Sequence, residues 1–386
     1  MPLRAFEWTY SCVRVHFGPS AEEALRNYLK GLTKVHIVSG RTAAMASGAL
    51  KDVLSMLNEL GIQYRHFSQV VSNPPSTLAE ALAADIRSFG SEAIIAIGGG
   101  SAIDTAKVAA AIVGSGGTAL DYLYGRRKAQ RCHPLYAINL THGTGSEVDR
   151  YANMTDVTTG DKLGNEVCYP TASFDDPRYT LSLPLEQVIC TSFDALYHAY
   201  EAATTAGSPP LVWSLAEEAV RRIAENLPRA VADPSDENAR YWLMYASMLS
   251  GVAIDLSPTN IIHQLENVLS GLVPTLPHGC GLAIIGPHLA PLVHAASPDM
   301  SSRLIKVLDP SVKDLTPEVA GKVLADFAER VGFRKRLGDY GIGRDVVREA
   351  VRRAFKNPVI AERLRTRLYG VSIDEQKLTQ LLLEAL

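Results

Sequence analysis

Up to about residue 184, short β-branched apolar runs alternate with segments of helical spacing, and this alternation constrains the fold more than any other feature. The run KVHIVSG at 34–40 ends in glycine, as a buried strand entering a turn does. The predicted strands are 34–40, 62–70, 92–97 and 134–141, and the predicted helices between them are 41–61, 76–90 and 101–114. Strands that alternate with helices form a parallel sheet covered on both faces. The sequence therefore predicts an α/β nucleotide-binding domain with a Rossmann-like parallel sheet.

The pattern changes near Leu183-Pro184. Beyond this point, segments such as 209–231 and 315–332 have apolar residues at helical spacing and no strand pattern. The sequence therefore predicts two domains. Residues 1–184 form the α/β dinucleotide-binding domain, and residues 185–386 form an all-α domain.

Charge and cysteine content argue against several classes of function. The 386-residue chain has a net charge of −3 and lacks the basic excess of a nucleic-acid-binding protein. No run of about 18 apolar residues suggests a membrane span, and the N-terminal segment lacks the apolar stretch of a signal peptide. The scattered cysteines form no CxxC pair, which favours reduced thiols in a cytoplasmic protein over a disulfide framework. They are Cys12, Cys132, Cys168, Cys190 and Cys280.

A glycine-rich turn follows the predicted strand 92–97. In IGGGSAIDTAK, glycines 98–100 precede Ser101, where a helix is predicted to begin. Unobstructed backbone N–H groups and the positive end of a helix suit a diphosphate. The alternative is a tight turn that needs glycine only for its backbone angles. Asp104 and Lys107, one helical turn apart, could form a simple surface ion pair.

A second group of polar residues lies in the helical part. Asp194 and His198 are four residues apart in SFDALYHAYEA and share one face of a helix. His263 and His278 follow, the latter in LPHGCG. One carboxylate and three imidazoles make a complete ligand set for a divalent transition metal. The alternative for each single histidine is an ordinary hydrogen-bonded residue, although a carboxylate inside an apolar helix needs a partner.

Four segments have the order and spacing of motifs in one enzyme family. GGGSAIDTAK resembles the diphosphate motif GGGSxxDxxK, and PLYAINLTHGTGSEV resembles PTTAGTGSE. SFDALYHAYEA resembles the helix GxDALxHAxE, and LPHGCGLAIIGPHL resembles PHGxxxAxxxPH. The chain thus resembles the iron-containing (group III) alcohol dehydrogenases over essentially its whole length. The resemblance implies a dehydroquinate synthase-like architecture, with the coenzyme in the N-terminal domain and the metal in the all-α C-terminal domain.

The resemblance also implies individual site residues. The implied metal ligands are Asp194, His198, His263 and His278. The implied cofactor-binding residues are Asn73, Gly98, Gly99, Gly100, Ser101, Asp104, Thr141, Thr144 and Lys162. The metal, Fe2+ with Zn2+ as the alternative, would polarise the alcohol or carbonyl oxygen while hydride moves between the substrate and the nicotinamide.

The chain departs from the family beside the implied metal. Where the family commonly has a second histidine four residues after the first, HQLEN places Asn267. An amide does not titrate near neutral pH, so we expect no proton relay through this position. We predict Asn267 and His278 as the residues at the catalytic centre, with Asn267 lining the substrate pocket without binding the metal.

The end of the strand 34–40 predicts the choice of coenzyme. In the family, an aspartate here accepts hydrogen bonds from the adenosine ribose and repels a 2′-phosphate. This chain has Ser39, Gly40 and Arg41 instead. Gly40 removes the repulsion, Arg41 suits a phosphate, and Ser39 adds a donor. The sequence therefore predicts NADP(H) over NAD(H), the alternative being that Gly40 closes a turn and Arg41 points to solvent.

The resulting hypothesis is a metal-dependent alcohol dehydrogenase or aldehyde reductase that forms a homodimer. No cluster of Lys or Arg accompanies His198, His263 or His278 along the sequence, which favours a small neutral substrate over a phosphorylated or carboxylated one. Other enzymes on the same scaffold stay open, namely those like glycerol-1-phosphate dehydrogenase, maleylacetate reductase or hydroxyacid–oxoacid transhydrogenase. A non-catalytic nucleotide-binding relative is the last alternative, and loss of a metal ligand would mark it.

Overall fold

The computed structural model describes residues 13–386. The described strands are β1 (Arg14–Phe17), β2 (Lys34–Gly40), β3 (Gln63–Val70), β4 (Ala93–Gly98), β5 (Leu135–Asn139), β6 (Tyr151–Thr155), β7 (Lys162–Glu166) and β8 (Ala172–Asp175). Six of them form a parallel sheet in the order β1-β8-β5-β4-β2-β3, and β6 and β7 form an antiparallel hairpin. Every residue of β4 and β5 is buried, as expected for strands covered on both faces. The predicted parallel α/β sheet is confirmed.

Helices connect and cover these strands. They are α1 (Leu25–Leu29), α2 (Ala43–Ala46), α3 (Ala49–Glu59), α4 (Ser76–Phe89), α5 (Gly100–Ser115) and α6 (Ala119–Leu123), with 3-10 helices at Ala21–Ala24 and Pro177–Thr180. The prediction of a single helix over 41–61 is wrong. Gly48 has a left-handed backbone with φ 88° and separates α2 from α3, because a left-handed residue interrupts the helical hydrogen-bond pattern.

The chain after residue 184 is helical, as predicted. Its helices are α7 (Leu185–Thr204), α8 (Pro210–Ala232), α9 (Glu237–Leu256), α10 (Ile261–Leu272), α11 (His278–Ala296), α12 (Pro298–Leu308), α13 (Pro317–Arg330), α14 (Arg344–Lys356), α15 (Pro358–Thr366) and α16 (Glu375–Leu383), with a 3-10 helix at Leu337–Tyr340. They enclose one apolar core that includes Phe193, Leu265 and Ile285. The domain boundary at residue 184 itself stays a prediction.

Helix α11 has the length and apolar composition of a membrane-spanning helix, with a mean hydropathy of 1.3. However, 72% of its most apolar window is buried inside the protein. It packs against α7, α10 and α13. Its burial is that of a core helix.

The expectation of unpaired cysteines is wrong for four of the five. Cys132 and Cys168 form one disulfide, with Cα atoms 6.3 Å apart, and Cys190 and Cys280 form another, with Cα atoms 4.7 Å apart. Such pairs are hidden in the sequence because their members are 36 and 90 residues apart. Cys12 lies outside the described residues, and the cytoplasmic location stays a prediction.

A cleft lies between the two parts of the chain. Its lining includes the start of α5 and the hairpin on one side, and residues of α7, α10 and α11 on the other. The carboxyl end of β4 leads directly into α5. Ligands of parallel α/β sheets bind beyond the carboxyl ends of the strands, so the fold directs attention to this cleft.

Candidate active site

The four predicted metal ligands converge beside the cleft. Helix α7 carries Asp194 and His198, α10 carries His263 near its start, and α11 begins with His278. The Nε2 atoms of His198, His263 and His278 lie 3.6, 3.4 and 3.6 Å from the same oxygen, Asp194 Oδ1. Of the four side chains, only that of His278 is appreciably exposed, at 23%. Three helices thus bring one carboxylate and three imidazoles to one point.

The separations fit a metal centre. Ligands bonded tetrahedrally to zinc or iron at about 2.1 Å lie about 3.4 Å from one another. The distances from Asp194 Oδ1 to the three imidazoles are close to this value. The donor set is also suited to a divalent transition metal, since imidazole and carboxylate both bind Fe2+ and Zn2+.

Two of the imidazoles are held by buried carboxylates at their other ring nitrogen. His263 Nδ1 pairs with Glu201 Oε2, and His278 Nδ1 pairs with Glu266 Oε2. An acceptor at Nδ1 places the proton on that nitrogen and leaves the Nε2 lone pair free for a metal. The two carboxylates therefore set both the tautomer and the direction of the ligands.

The sequence reasoning missed Glu201 and Glu266. Both are completely buried, and Glu201 also accepts a hydrogen bond from the backbone N–H of Ile262 at 2.6 Å. Each follows a predicted ligand by three residues but pairs with the histidine of the next helix that carries a ligand. Glu201 on α7 pairs with His263 on α10, and Glu266 on α10 pairs with His278 on α11. The available signal is a carboxylate on an otherwise apolar helix face, which needs a partner.

Three of the ligand groups, Asp194, His198 and His263, have shifted pKa values. Burial lowers the pKa of His198 to about 3, so its ring is neutral, with Nδ1 3.3 Å from the Gly143 carbonyl oxygen. Burial opposes the charge of His263 as well, but Glu201 and Asp194 raise its pKa to about 9. Burial acts against the Asp194 charge, yet the neighbouring histidines hold the pKa of that carboxyl below its usual range. Metal binding therefore displaces a proton from His263.

The glycine that follows His278 has a steric role. Helix α11 starts so close to α7 that a Cβ atom on Gly279 would overlap the carbonyl oxygen of Cys190. The Cys190–Cys280 disulfide joins the same two helices. Only glycine allows this approach, and the approach places His278 next to Asp194.

Comparison with known proteins decides the family. A family model described as iron-containing alcohol dehydrogenase matches residues 12–177, and one described as the C-terminal part of the Fe-containing alcohol dehydrogenase family matches residues 188–370. The chain belongs to the iron-containing alcohol dehydrogenase family. It is therefore an oxidoreductase of a family that uses a nicotinamide coenzyme and a metal, with small-molecule alcohols and aldehydes as the implied substrates.

Individual relatives agree with this assignment. The chain is 35% identical over 341 residues to the long-chain primary alcohol dehydrogenase AdhA of Thermoanaerobacter ethanolicus, covering 87% of this chain and 85% of the relative. It is 30% identical over 351 residues to the 1,3-propanediol dehydrogenase of Klebsiella pneumoniae, covering 89% and 90%. The crystal structure of the archaeal halo-thermophilic Red Sea brine pool alcohol dehydrogenase ADH/D1 matches with a TM-score of 0.93 over 100% of both chains, at 24% identity. The predicted two-domain architecture is confirmed.

In this iron-containing alcohol dehydrogenase, residues 98–101 connect β4 to α5. A Cβ atom on Gly99 would lie 2.7 Å from Cγ2 of Thr141, and one on Gly100 would lie 2.6 Å from Cγ2 of Thr144. The glycines are therefore needed for close packing of two loops, as the tight-turn alternative holds. The same packing leaves the N-terminus of α5 on the cleft, where an anion would be stabilised, so the two interpretations are compatible.

Asp104 and Lys107 do not form a surface ion pair, because both are buried. Asp104 accepts hydrogen bonds from the Ser146 hydroxyl at 2.5 Å and from the Asn153 backbone N–H at 2.9 Å. Lys107 donates to Asp149 at 2.8 Å. Asp104 thus fixes the hairpin against α5 at the edge of the cleft, and its predicted contact with the coenzyme stays a prediction.

Asn73 and Lys162 line the cleft and bridge its two sides. Asn73 has a left-handed backbone with φ 49°, and its Nδ2 donates to the carbonyl oxygens of Pro274 at 3.0 Å and Leu276 at 3.4 Å. Lys162 is buried and donates to the Ser270 hydroxyl at 3.2 Å. Both side chains are placed where a coenzyme would lie, and their cofactor-binding roles stay predictions.

Asn267 lines the cleft together with the histidines of the metal site. Its Oδ1 atom is buried and has no hydrogen-bond partner within residues 13–386. A buried amide oxygen without a partner is available to accept a hydrogen bond from a bound ligand. This placement is compatible with a pocket-lining role, and the catalytic roles of Asn267 and His278 stay predictions.

At the end of β2 the outcome for coenzyme choice is mixed. Arg41 is exposed and, in the part of the chain that the structure describes, makes no hydrogen bond or ion pair. A Cβ atom on Gly40 would meet the Val70 carbonyl oxygen at 3.4 Å, an ordinary contact, so space alone does not require glycine. The prediction of Ser39 as a phosphate donor is wrong, because Ser39 is buried and its hydroxyl bonds the Gly40 carbonyl oxygen at 2.8 Å and lies 2.7 Å from His66 Nε2.

Basic residues line the cleft near the metal site, although no cluster of them accompanies its histidines along the sequence. Arg363 on α15 and Arg367 just beyond its end line the cleft together with His263 and Asn267. They are called the arginine pair below. Local sequence could not reveal them, because about a hundred residues separate them from His263.

Proposed function

We propose that the protein is an NADP(H)-dependent alcohol dehydrogenase or aldehyde reductase that works with Fe2+, with Zn2+ as the alternative metal. The observation that carries the proposal is the convergence of Asp194, His198, His263 and His278 on one side of a cleft. The turn 98–101, suited to a coenzyme diphosphate, lies on the other side.

The metal, when bound, supplies Lewis acid character toward an alcohol or carbonyl oxygen. The residues of the protein position the metal ligands and the coenzyme. Glu201 and Glu266 hold two imidazoles in one tautomer and orientation. The N-terminus of α5 presents backbone N–H groups to the diphosphate. Asn267 offers a buried acceptor beside the metal site.

Coenzyme choice depends on Gly40 and Arg41. A guanidinium without a partner can bind a 2′-phosphate in a bidentate way, and Gly40 brings no negative charge against it. We expect kcat/KM to be at least about tenfold higher with NADPH than with NADH. Gly40→Asp should reduce or reverse this preference, and Arg41→Gln should weaken the use of NADPH alone. Equal kcat/KM values, or a preference for NADH in the unmodified protein, would contradict the assignment.

Metal analysis and turnover test the proposal as a whole. The purified protein should contain a divalent metal and reduce aldehydes with NADPH. His263→Ala should lose both metal and turnover while the far-UV circular dichroism spectrum stays that of the folded protein. His288→Ala on α11 is the matched control, because His288 does not line the cleft and should leave both unchanged. Full metal content in His263→Ala would show that the site is wrongly assigned.

Two kinds of alternative stay open. The non-catalytic relative is disfavoured because all four metal-binding side chains are present and converge. The enzymes like glycerol-1-phosphate dehydrogenase, maleylacetate reductase or hydroxyacid–oxoacid transhydrogenase differ in substrate, and an assay panel separates them. The homodimer and the cytoplasmic location stay predictions, and light scattering tests the first.

A further inference from the structure

The arginine pair has only neutral partners within the protein. Arg363 donates to Gln264 Oε1 at 3.3 Å and to the Gly164 carbonyl oxygen at 2.9 Å. Arg367 donates to the carbonyl oxygen of Thr259. Across residues 13–386, no carboxylate lies within ion-pair distance of either guanidinium. Both positive charges are therefore unpaired.

Some cations of this protein are paired with a carboxylate, whereas buried Arg240 and Lys162, like the arginine pair, hydrogen-bond only neutral groups within residues 13–386. Lys107 lies 2.8 Å from Asp149, and Arg150 lies 3.2 Å from Asp255. A charge removed from water without an opposite charge is unfavourable, and two like charges side by side are more so. The arginine pair combines both costs, because each guanidinium feels the like charge of the other, and an anion from outside the chain would relieve it.

The arginine pair has donors to spare. A guanidinium has five N–H groups, and these hydrogen bonds engage two nitrogens of Arg363 and one of Arg367. Both side chains are partly exposed and line the cleft, and none of their nitrogens is buried without a partner. The remaining N–H groups are therefore not sealed inside the protein and can donate to a further acceptor. Two residues four apart can direct their guanidinium groups at one oxyanion.

The cleft contains no free negative charge to neutralise the pair. The carboxylates that line it are Asp104, Asp149 and Asp194. Asp104 is bonded to a hydroxyl and a backbone N–H, Asp149 to a lysine, and Asp194 faces the histidines. Burial, and next the charge of Arg363, lower the pKa of Arg367 to about 10, whereas the buried Glu201 carboxylate, which is already paired with His263, acts in the opposite direction. Both arginines stay charged at neutral pH, so this end of the cleft is electropositive.

The position of the pair distinguishes a substrate from the coenzyme. Gln264, which one arginine contacts, directly follows the metal-site residue His263, and Thr259 lies just before α10. Arg363 also contacts Gly164 of the hairpin, so the pair joins the two sides of the cleft beside the metal site. The coenzyme phosphates belong to the side opposite the metal, at the turn 98–101. Because Gln264 directly follows His263, we assign an anion bound by the pair to the molecule that reacts at the metal.

We propose that the arginine pair binds an oxyanion group of the substrate, so that the substrate is an aldehyde or alcohol carrying a carboxylate, sulfonate or phosphate. The inference rests on the proposed function and specifies its substrate class. It replaces the small neutral substrate that the sequence alone favours.

Matched substrates test the subsite in the unmodified, metal-loaded enzyme. 4-Oxobutanoate is compared with butanal, and glycolaldehyde phosphate with glycolaldehyde, by kcat/KM with NADPH and NADH. We expect the anionic member of at least one pair to be favoured by about tenfold or more, and the favoured pair identifies carboxylate or phosphate as the source of the anion. Equal turnover, or a preference for both neutral aldehydes, would overturn the subsite and leave the proposed function intact.

Binding without turnover decides the question independently. Calorimetry should detect n-butanesulfonate at the unmodified protein and much weaker binding of n-butanesulfonamide, which has the same length and no charge. If no aldehyde is turned over, the proposed function fails, and this measurement still judges the subsite. Equal binding of the two compounds would overturn the subsite.

Substitutions separate a binding role from a structural one. In Arg367→Gln, the ratio of kcat/KM for 4-oxobutanoate to that for butanal should fall by about tenfold to a hundredfold, whereas Arg367→Lys should lose less because it keeps the charge. Arg348→Gln on the surface of α14 is the control and should keep the ratio. An unchanged ratio in Arg367→Gln, with both substrates slowed alike, would assign the residue to structure alone. Metal content and melting temperature are measured for each variant. If Arg367→Gln does not fold, Arg363→Gln replaces it as the test variant.

Discussion

Replacing Glu201 with glutamine tests the claim that buried carboxylates prepare the metal site. The two Glu201 oxygens together accept from the backbone N–H of Ile262 at 2.6 Å, from the backbone N–H of His263 at 3.3 Å and from His263 Nδ1. Glutamine has nearly the same shape but only one acceptor oxygen. Its amide group would therefore face at least one N–H donor, and the His263 ring would lose its charged partner.

The expected magnitude follows from the lost charged hydrogen bond. Such a bond contributes about 1.5–3 kcal/mol, which corresponds to about 10- to 100-fold in the dissociation constant of the metal. Metal-free protein is titrated with Zn2+ against a competing chelator to obtain Kd. Glu218→Gln on the surface of α8 is the control and should keep the wild-type Kd. If Glu201→Gln also keeps the wild-type Kd while it stays folded, the carboxylate does not prepare the site and the reasoning fails.

Three further predictions concern single positions. Gly279→Ala should destabilise the protein by about 1–3 kcal/mol and lower its metal content, because the new methyl group overlaps Cys190. Gly343→Ala is the control in the denaturation experiment, because a Cβ atom there would have no neighbour within 4 Å. Burial raises the pKa of Glu147 to about 7, above the ordinary 4.5, so the folded protein keeps a proton that the unfolded chain releases. Glu147 should therefore make the free energy of unfolding fall as the pH rises from about 4.5 to 7, and Glu147→Gln should make this fall smaller; parallel stability curves for the two proteins would contradict it. Asn267→His should add an ionisation between about pH 5 and 8 to the turnover profile, and an unchanged profile would show that the residue is remote from the reaction.

The central strands are predictable from sequence and the hairpin is not. In β2, the apolar run from Val35 to Val38 is buried on both faces, so its composition alone identifies a strand. In β7, the sequence KLGNE has neither alternation nor β-branched residues. Gly164 stands there because the Asn153 side chain of β6 occupies the space of its missing Cβ. A strand determined by one contact with its neighbour has no local pattern to detect.

The same distinction holds within the site. The pair Asp194 and His198 is predictable because both lie on one helix, and the resemblance supplies the other ligands. The contact between Glu201 and His263 spans 62 residues, and that between Arg363 and Gln264 spans 99. Such contacts exist only once the helices have packed. The set of metal ligands could thus be expected from the chain, whereas the orientation of the ligands and the charge of the substrate pocket required the fold.

The bridge made by Asn73 has a thermodynamic consequence. This residue belongs to the coenzyme side of the cleft, yet its amide holds the carbonyl oxygens of Pro274 and Leu276, only a few residues before His278. A coenzyme that orders the Asn73 turn would therefore also order the segment that presents a ligand to the ion. Linkage requires this effect to be reciprocal. If the nucleotide increases the affinity for the ion by some factor, the ion must increase the affinity for the nucleotide by the same factor. Loss of either one would therefore weaken the binding of the other.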